Sequence, residues 1–287
     1  MYRTIISPEE LREKLGRQTW IIIDCRYRLG QPTAGYKAYL EGHIPNAQYA
    51  HLDKDLSGKI VPGKTGRHPL PSLVKATQRF SSWGIGDGVQ VVLYDDRSGA
   101  IAARLWWMLR WLGHERVAVL DGGWNAWQER GYPVTQELPS IGPRVFKPRP
   151  KKGWTVDADY IQSRLQDEDF LLVDSRSANR FSGKDEPIDP IAGHIPGAAN
   201  FPHTDLIESD GYWLMPDEIE DRFEELLGDD EADEVVFYCG SGVTACRNLL
   251  AYRHAGLGNA KLYPGSWSEW ITDESRPVEK KDNFKKV

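Results

Sequence analysis

The stretch Val235 to Arg247 reads VVFYCGSGVTACR. Val235, Val236, Phe237 and Tyr238 form a run of β-branched and aromatic residues, long enough for one fully buried strand and too short for a helix. Cys239 stands where that strand stops. Gly240-Ser241-Gly242 follows, small residues that leave backbone N–H groups uncovered. From Val243 to Tyr252 the apolar positions Ala245, Leu249 and Tyr252 recur at helical spacing. The pattern predicts strand, tight loop, helix. A thiol at such a junction faces the positive end of a helix and a concave array of amides, and both favour its thiolate. A buried, inert cysteine is the alternative reading, and the glycines on either side of Ser241 weigh against it.

The same organisation recurs along the chain. Ile21-Ile22-Ile23-Asp24-Cys25-Arg26 answers to Leu171-Leu172-Val173-Asp174-Ser175-Arg176, and Gly42-His43-Ile44-Pro45 to Gly193-His194-Ile195-Pro196. Val91 to Asp95 answers to Val235 to Cys239, and Leu120 to Trp127 answers to Tyr263 to Trp270. Four matches fall in one order at offsets of 143 to 151 residues, which is a duplicated domain and too long a period for a solenoid. Each copy alternates short apolar strands with helical stretches: Pro8 to Leu15, Leu73 to Trp83, Ala158 to Leu165 and Pro216 to Leu227. The alternation predicts an α/β fold, a parallel sheet with helices on both faces in each copy, and sites beyond the carboxyl ends of the strands. The expected division is a first domain over 1–136, a linker over 137–156 rich in proline and basic residues, and a second domain over 157–287.

With 287 residues the chain suits two domains, each large enough to bury a core. A net charge of -6 argues against nucleic acid or an anionic membrane as a main partner, because both demand a basic face. Met1 to Gly16 carries charges throughout, without a signal-peptide core, so the expected compartment is the cytoplasm. The three cysteines, Cys25, Cys239 and Cys246, contain no C-x-x-C pair and fit neither a disulfide framework nor a structural zinc site.

Two chemistries use a cysteine under a crown of loop amides: phosphoester cleavage and sulfur transfer. A cysteine phosphatase closes its loop with an arginine, which would stand where this chain has Ala245; the first basic residue after Cys239 is Arg247, beyond the loop. The string CGSGVTA resembles instead the active-site loop of the rhodanese family of sulfurtransferases, in its 3-mercaptopyruvate branch. The likeness extends over nearly the whole chain as two tandem rhodanese-like domains. It implies that the Cys239 thiolate takes a sulfur atom from a small anionic donor, holds it as a persulfide steadied by the amides of Gly240, Ser241, Gly242, Val243 and Thr244, and passes it to a thiol such as thioredoxin or to cyanide. No cofactor and no metal are implied. The first copy has Asp95 at the cysteine position and is expected to be catalytically silent.

The resemblance implies further site residues. Arg180, in SANRF, stands where the family binds the donor's carboxylate or sulfonate. Ser241 stands where mercaptopyruvate-type members keep a serine that works with an aspartate and a histidine, which by motif position are Asp55 in LDKDLS and His68 in GRHPLP. A turn aspartate and a solvated histidine remain open as alternatives. The branch also carries a second arginine shortly after the first, whereas this chain reads Glu186-Pro187-Ile188-Asp189-Pro190; Lys184 is the expected substitute. Thiosulfate-preferring members place two basic residues straight after the cysteine, and Gly240 and Ser241 occupy those places here. His43 and His194, repeated in G-H-I-P turns, are expected to be structural, as are the Asp24–Arg26 and Asp174–Arg176 pairs.

Overall fold

Runs of isoleucine, valine and leucine form the central strands of two parallel sheets, each sheet in its own unit of the chain. The structure is a computed structural model that describes residues 1–227 and 234–280. The first unit comprises Met1–Gly58, Leu70–Lys151 and Ile207–Trp213; the second comprises Lys59–Pro69, Lys152–Leu206 and the described residues from Leu214 onward.

In the first unit β1 (Ile5–Ile6), β2 (Trp20–Asp24), β3 (Ala47–Tyr49), β4 (Gln90–Tyr94) and β5 (Val117–Leu120) lie in the order β1-β5-β4-β2-β3, all parallel. In the second, β6 (Phe170–Asp174), β7 (Ala199–Asn200), β8 (Glu234–Tyr238) and β9 (Lys261–Leu262) lie in the order β7-β6-β8-β9, also parallel. Helices flank both sheets. Helix Leu73–Ser82 buries Ala76 and Phe80, and its counterpart Pro216–Leu227 buries Ile219 and Phe223, so each lays one apolar stripe on its sheet. Each such large apolar side chain, fully buried, stabilises the fold by about 1.5–3 kcal/mol. Among the described residues no helix is long and apolar enough to cross a membrane.

The duplication is visible at the bond level. Asp24 beside β4 and Asp174 beside β8 each grip the arginine two residues on, with Arg26 Nη2 and Arg176 Nη2 both 2.6 Å from the carboxylate and both donating at 2.7 Å to a backbone carbonyl, Gly42 or Gly193. Tyr94 and Tyr238 end equivalent strands, and their hydroxyls accept the N–H of Ile44 and Ile195. His43 Nδ1 and His194 Nδ1 sit 2.7 and 2.8 Å from the carbonyls of Tyr39 and Phe181. These buried polar groups fasten the loops at the carboxyl ends of the strands.

The units depart from the expected boundaries in two exchanged segments, Lys59–Pro69 and Ile207–Trp213. The expected linker is a hydrogen-bonded part of the fold. Within the first unit Arg144 and Arg149 donate their backbone N–H to the carbonyls of Ser81 and Leu112 at 3.0 and 2.8 Å, and Lys151 to that of Trp111 at 2.9 Å. Within the second, Val156 donates to Leu262 at 3.0 Å. Proline removes donors only at its own positions, and the residues between still dock. Two helices are shorter than expected, Pro8–Arg12 and Ala158–Ser163. The first gives way to tighter bonds, Lys14 N–H to Leu11 and Leu15 N–H to Arg12, which close three-residue turns.

Candidate active site

Strand β8 is buried throughout its apolar run and delivers Cys239 to its carboxyl end, where the thiol is 1% exposed. The helix that follows begins at Ala245, two residues later than the periodicity suggests, because Val243 and Thr244 belong to the loop. Gly242 makes that loop possible. Its φ is +72°, and a Cβ there would run into the carbonyl oxygen of Pro264, so neither the backbone nor the space admits a side chain. The far wall is the helix Ser266–Trp270, whose Trp267 and Ser268 N–H groups donate to the carbonyls of Cys239 and Gly240 at 3.0 and 2.9 Å. The Cys239 N–H in turn donates to Ser266 Oγ at 3.1 Å.

With the carbonyls turned outward, the amides point in. Burial alone would raise the Cys239 pKa, but the Thr244 hydroxyl and the N–H groups of Ser241 and Ala245 bond to its sulfur and outweigh that cost, lowering the pKa below the ordinary thiol value. Cys25 is an internal contrast. It is equally buried, yet desolvation and the charges of Asp95, Asp24 and Asp55 push its pKa well above the ordinary value. Cys246 lies inside the helix, its Sγ 3.4 Å from the Gly242 carbonyl oxygen.

The segment Lys59–Pro69 packs on this wall within the second unit. The Arg67 N–H donates to Ser268 Oγ at 3.0 Å, and Gly66 leaves no room for a side chain beside Gly265 and Ser268. His68, buried by this packing, has its Nδ1 2.7 Å from Ser241 Oγ. Arg180 reaches the loop from helix Ala178–Phe181, and Glu186 and Asp189 hold its Nη2 at 2.8 and 3.0 Å.

The second unit thus brings together Cys239, Gly240, Ser241, Gly242, Val243, Thr244, Arg180 and His68. Asp55 belongs to the first unit. One carboxylate oxygen accepts the His51 N–H at 2.8 Å, and the other pairs with Arg79 at 2.8 Å. Within that unit both carboxylate oxygens of Asp55 have partners. Lys184 is exposed. Sequence reasoning missed Arg67, the other guanidinium beside Gly240. A Cβ on Gly240 would come within 2.8 Å of Arg67 Nη2 and within 3.3 and 3.4 Å of the two Arg180 Nη atoms. Burial lowers the Arg67 pKa, and the Cys239 charge partly restores it. Its adjacency to His68 in GRHPLP was the only sequence signal that could have found it.

In the first unit the equivalent loop encloses Asp95 in place of a thiol. Its Oδ1 accepts the N–H groups of Arg97 and Gly99 at 2.8 and 2.9 Å, and its Oδ2 accepts those of Ile101 and Ala102 at 2.8 Å. The cradle is intact and is filled by the protein's own carboxylate.

Comparison with known proteins agrees with this arrangement. The rhodanese-like domain matches twice, over residues 7–130 and 157–273. A probable 3-mercaptopyruvate sulfurtransferase of Pseudomonas aeruginosa is 45% identical over 96% of this chain and 97% of its own length. The thiosulfate sulfurtransferase of Bos taurus is 32% identical over 94% of this chain and 93% of its own. Among solved structures, the 3-mercaptopyruvate sulfotransferase SseA of Escherichia coli superposes with a TM-score of 0.81 at 29% identity, covering 93% of this chain and all of that one. With a nucleophile loop in one copy, a carboxylate in the other and both copies matched along their length, the chain belongs to the rhodanese family, as a tandem pair of its domains.

Proposed function

We propose that this sulfurtransferase takes its sulfur from 3-mercaptopyruvate onto Cys239 and delivers it to a thiol acceptor. Sulfurtransferase activity follows from the family and from relatives that carry that name. The choice of donor is carried by one observation: Ser241 Oγ beside the buried His68 Nδ1, at the mouth of the thiolate loop.

In the first half-reaction the Cys239 thiolate attacks the donor sulfur. An S–S bond forms, the donor C–S bond breaks, and its electron pair stays on carbon as the enolate of pyruvate. That carbon must gain a proton, while the transferred sulfur must lose one. The Ser241–His68 pair is suited to carry it from sulfur to carbon, leaving pyruvate and an anionic persulfide. Thiosulfate needs no such proton, because sulfite leaves as a stable anion, and the loop offers neither of the two adjacent basic residues that would favour a dianion. The amides around Cys239 that lower its pKa also stabilise the negative outer sulfur of the persulfide. Arg180 is assigned the donor carboxylate. In the second half-reaction an acceptor thiol or cyanide attacks the outer sulfur and the thiolate returns, which is ping-pong kinetics.

The relatives named for thiosulfate make that donor the second reading, by the same persulfide. The deciding experiment compares the two donors with purified protein and a common thiol acceptor, and follows the intact mass. The expected result is a higher kcat/KM for 3-mercaptopyruvate, a reducible gain of about 32 Da in wild type, and loss of both mass gain and turnover in Cys239→Ser. Faster turnover with thiosulfate, or sulfur transfer by Cys239→Ser, overturns the proposal.

A further inference from the structure

We infer that Arg67 is the second cation of the donor site, closing with Arg180 over Gly240 on the donor's carboxylate. This rests on the mercaptopyruvate reading above and adds to it a specificity-determining residue outside the SANRF motif. The stretch Glu186 to Pro190 lacks the second arginine that the resemblance leads one to expect, and Arg67 provides that charge from the segment Lys59–Pro69 instead.

The geometry is that of a shared fork. Asp189, whose side chain is 2% exposed, lies between the two guanidiniums, with Oδ1 paired to Arg67 Nη1 and Oδ2 to Arg180 Nη2. Arg180 uses its Nε and Nη2 on Glu186 and Asp189. The Nη2 of Arg67 and the Nη1 of Arg180 both lie against Gly240, next to the nucleophile. Arg67 Nε is buried and has no hydrogen-bond partner among the described residues. A buried guanidinium N–H left unsatisfied is costly, and a planar carboxylate over Gly240 would supply the missing acceptor. Arg67, Arg176 and Arg180 are each paired with Asp174, Glu186 or Asp189, so the guanidiniums are held by buried carboxylates before a donor enters. Asp189 is then a positioning residue, holding both forks in one orientation.

The test uses the full-length chain with 3-mercaptopyruvate as donor and pyruvate as product inhibitor. Arg67→Ala is expected to raise the donor KM by about tenfold or more and the pyruvate inhibition constant in parallel. The kcat should stay within about threefold, the acceptor KM should be unchanged, and Cys239 should still gain sulfur at saturating donor. Arg67→Lys keeps the charge without the fork and should fall between. Arg67→Gln, uncharged but still able to bond Asp189, gives the same split if the alanine variant folds poorly. A donor KM within twofold of wild type in the alanine or glutamine variant, with wild type gaining sulfur normally, overturns the Arg67 assignment alone. So does a fall in kcat without a change in KM, the mark of a purely structural role. Wild type that gains no sulfur from 3-mercaptopyruvate overturns the donor reading beneath it.

Discussion

Cys25 and Cys239 occupy the same kind of place, the first position after a buried parallel strand, and differ in what surrounds the sulfur. Cys25 meets carboxylates and no amide array, and its thiol stays protonated. Cys239 meets Thr244 Oγ1–H and two backbone N–H groups. Hydrogen bonds to a charged group contribute about 1.5–3 kcal/mol each, and one pKa unit corresponds to about 1.4 kcal/mol. Thr244→Val should therefore raise the Cys239 pKa by about one to two units. Because the thiolate is the reacting form, activity climbs with pH up to that pKa, so the acid limb of the kcat/KM profile should move to higher pH by the same amount. An unmoved limb would mean that backbone amides alone set the ionisation.

At the scale of the element, each copy carries one strand, cradle and helix in succession, and the two cradles hold different groups. Gly242 makes the tight turn of the one around Cys239. Gly242→Ala meets both a positive φ and the Pro264 carbonyl, so its expected cost is at least about 2 kcal/mol with loss of the aligned amides. Thermal melting together with persulfide formation would register it, and a variant with wild-type values in both would show that the loop can rearrange. In the first copy Asp95 satisfies four N–H donors. Asp95→Asn turns an NH2 toward two of them and removes the charge, so we expect a loss of about 2–4 kcal/mol in the stability of the first unit. The kcat of the folded enzyme should be unaltered, since no step is assigned there. Denaturant melts alongside steady-state kinetics separate the two effects.

For the whole molecule, two segments belong to the unit of the other copy. Lys59–Pro69 follows the third strand of the first copy in sequence, yet it furnishes the second unit with His68 and Arg67. Replacing residues 59–69 by a flexible Gly/Ser segment of equal length should preserve the secondary structure seen by circular dichroism. It should also raise the donor KM about tenfold or more and lower kcat, because the residues proposed as proton carrier and second fork are both gone. Unchanged kinetics in that variant would remove the segment from the site.

Adjacent residues made much of this legible in advance. VVFYCGSGVTA contains its own strand, turn glycines and helix start, and the four ordered matches between the halves show the duplication and the parallel α/β class without any contact being known. Asp95 opposite Cys239 marked the copy whose cradle holds a carboxylate for the same reason. Helix ends were less legible, because Val243 and Thr244 suit a helix by spacing and are drawn into the loop by the amides that must face the sulfur. The pairing of Ser241 with His68, 173 positions apart, the bridging of two arginines by Asp189 and the engagement of Asp55 by Arg79 depend on where distant segments dock. Local patterns determine which way a side chain leaves its own strand or loop. Which charges then share a buried space is fixed only when burial forces each of them to find a partner.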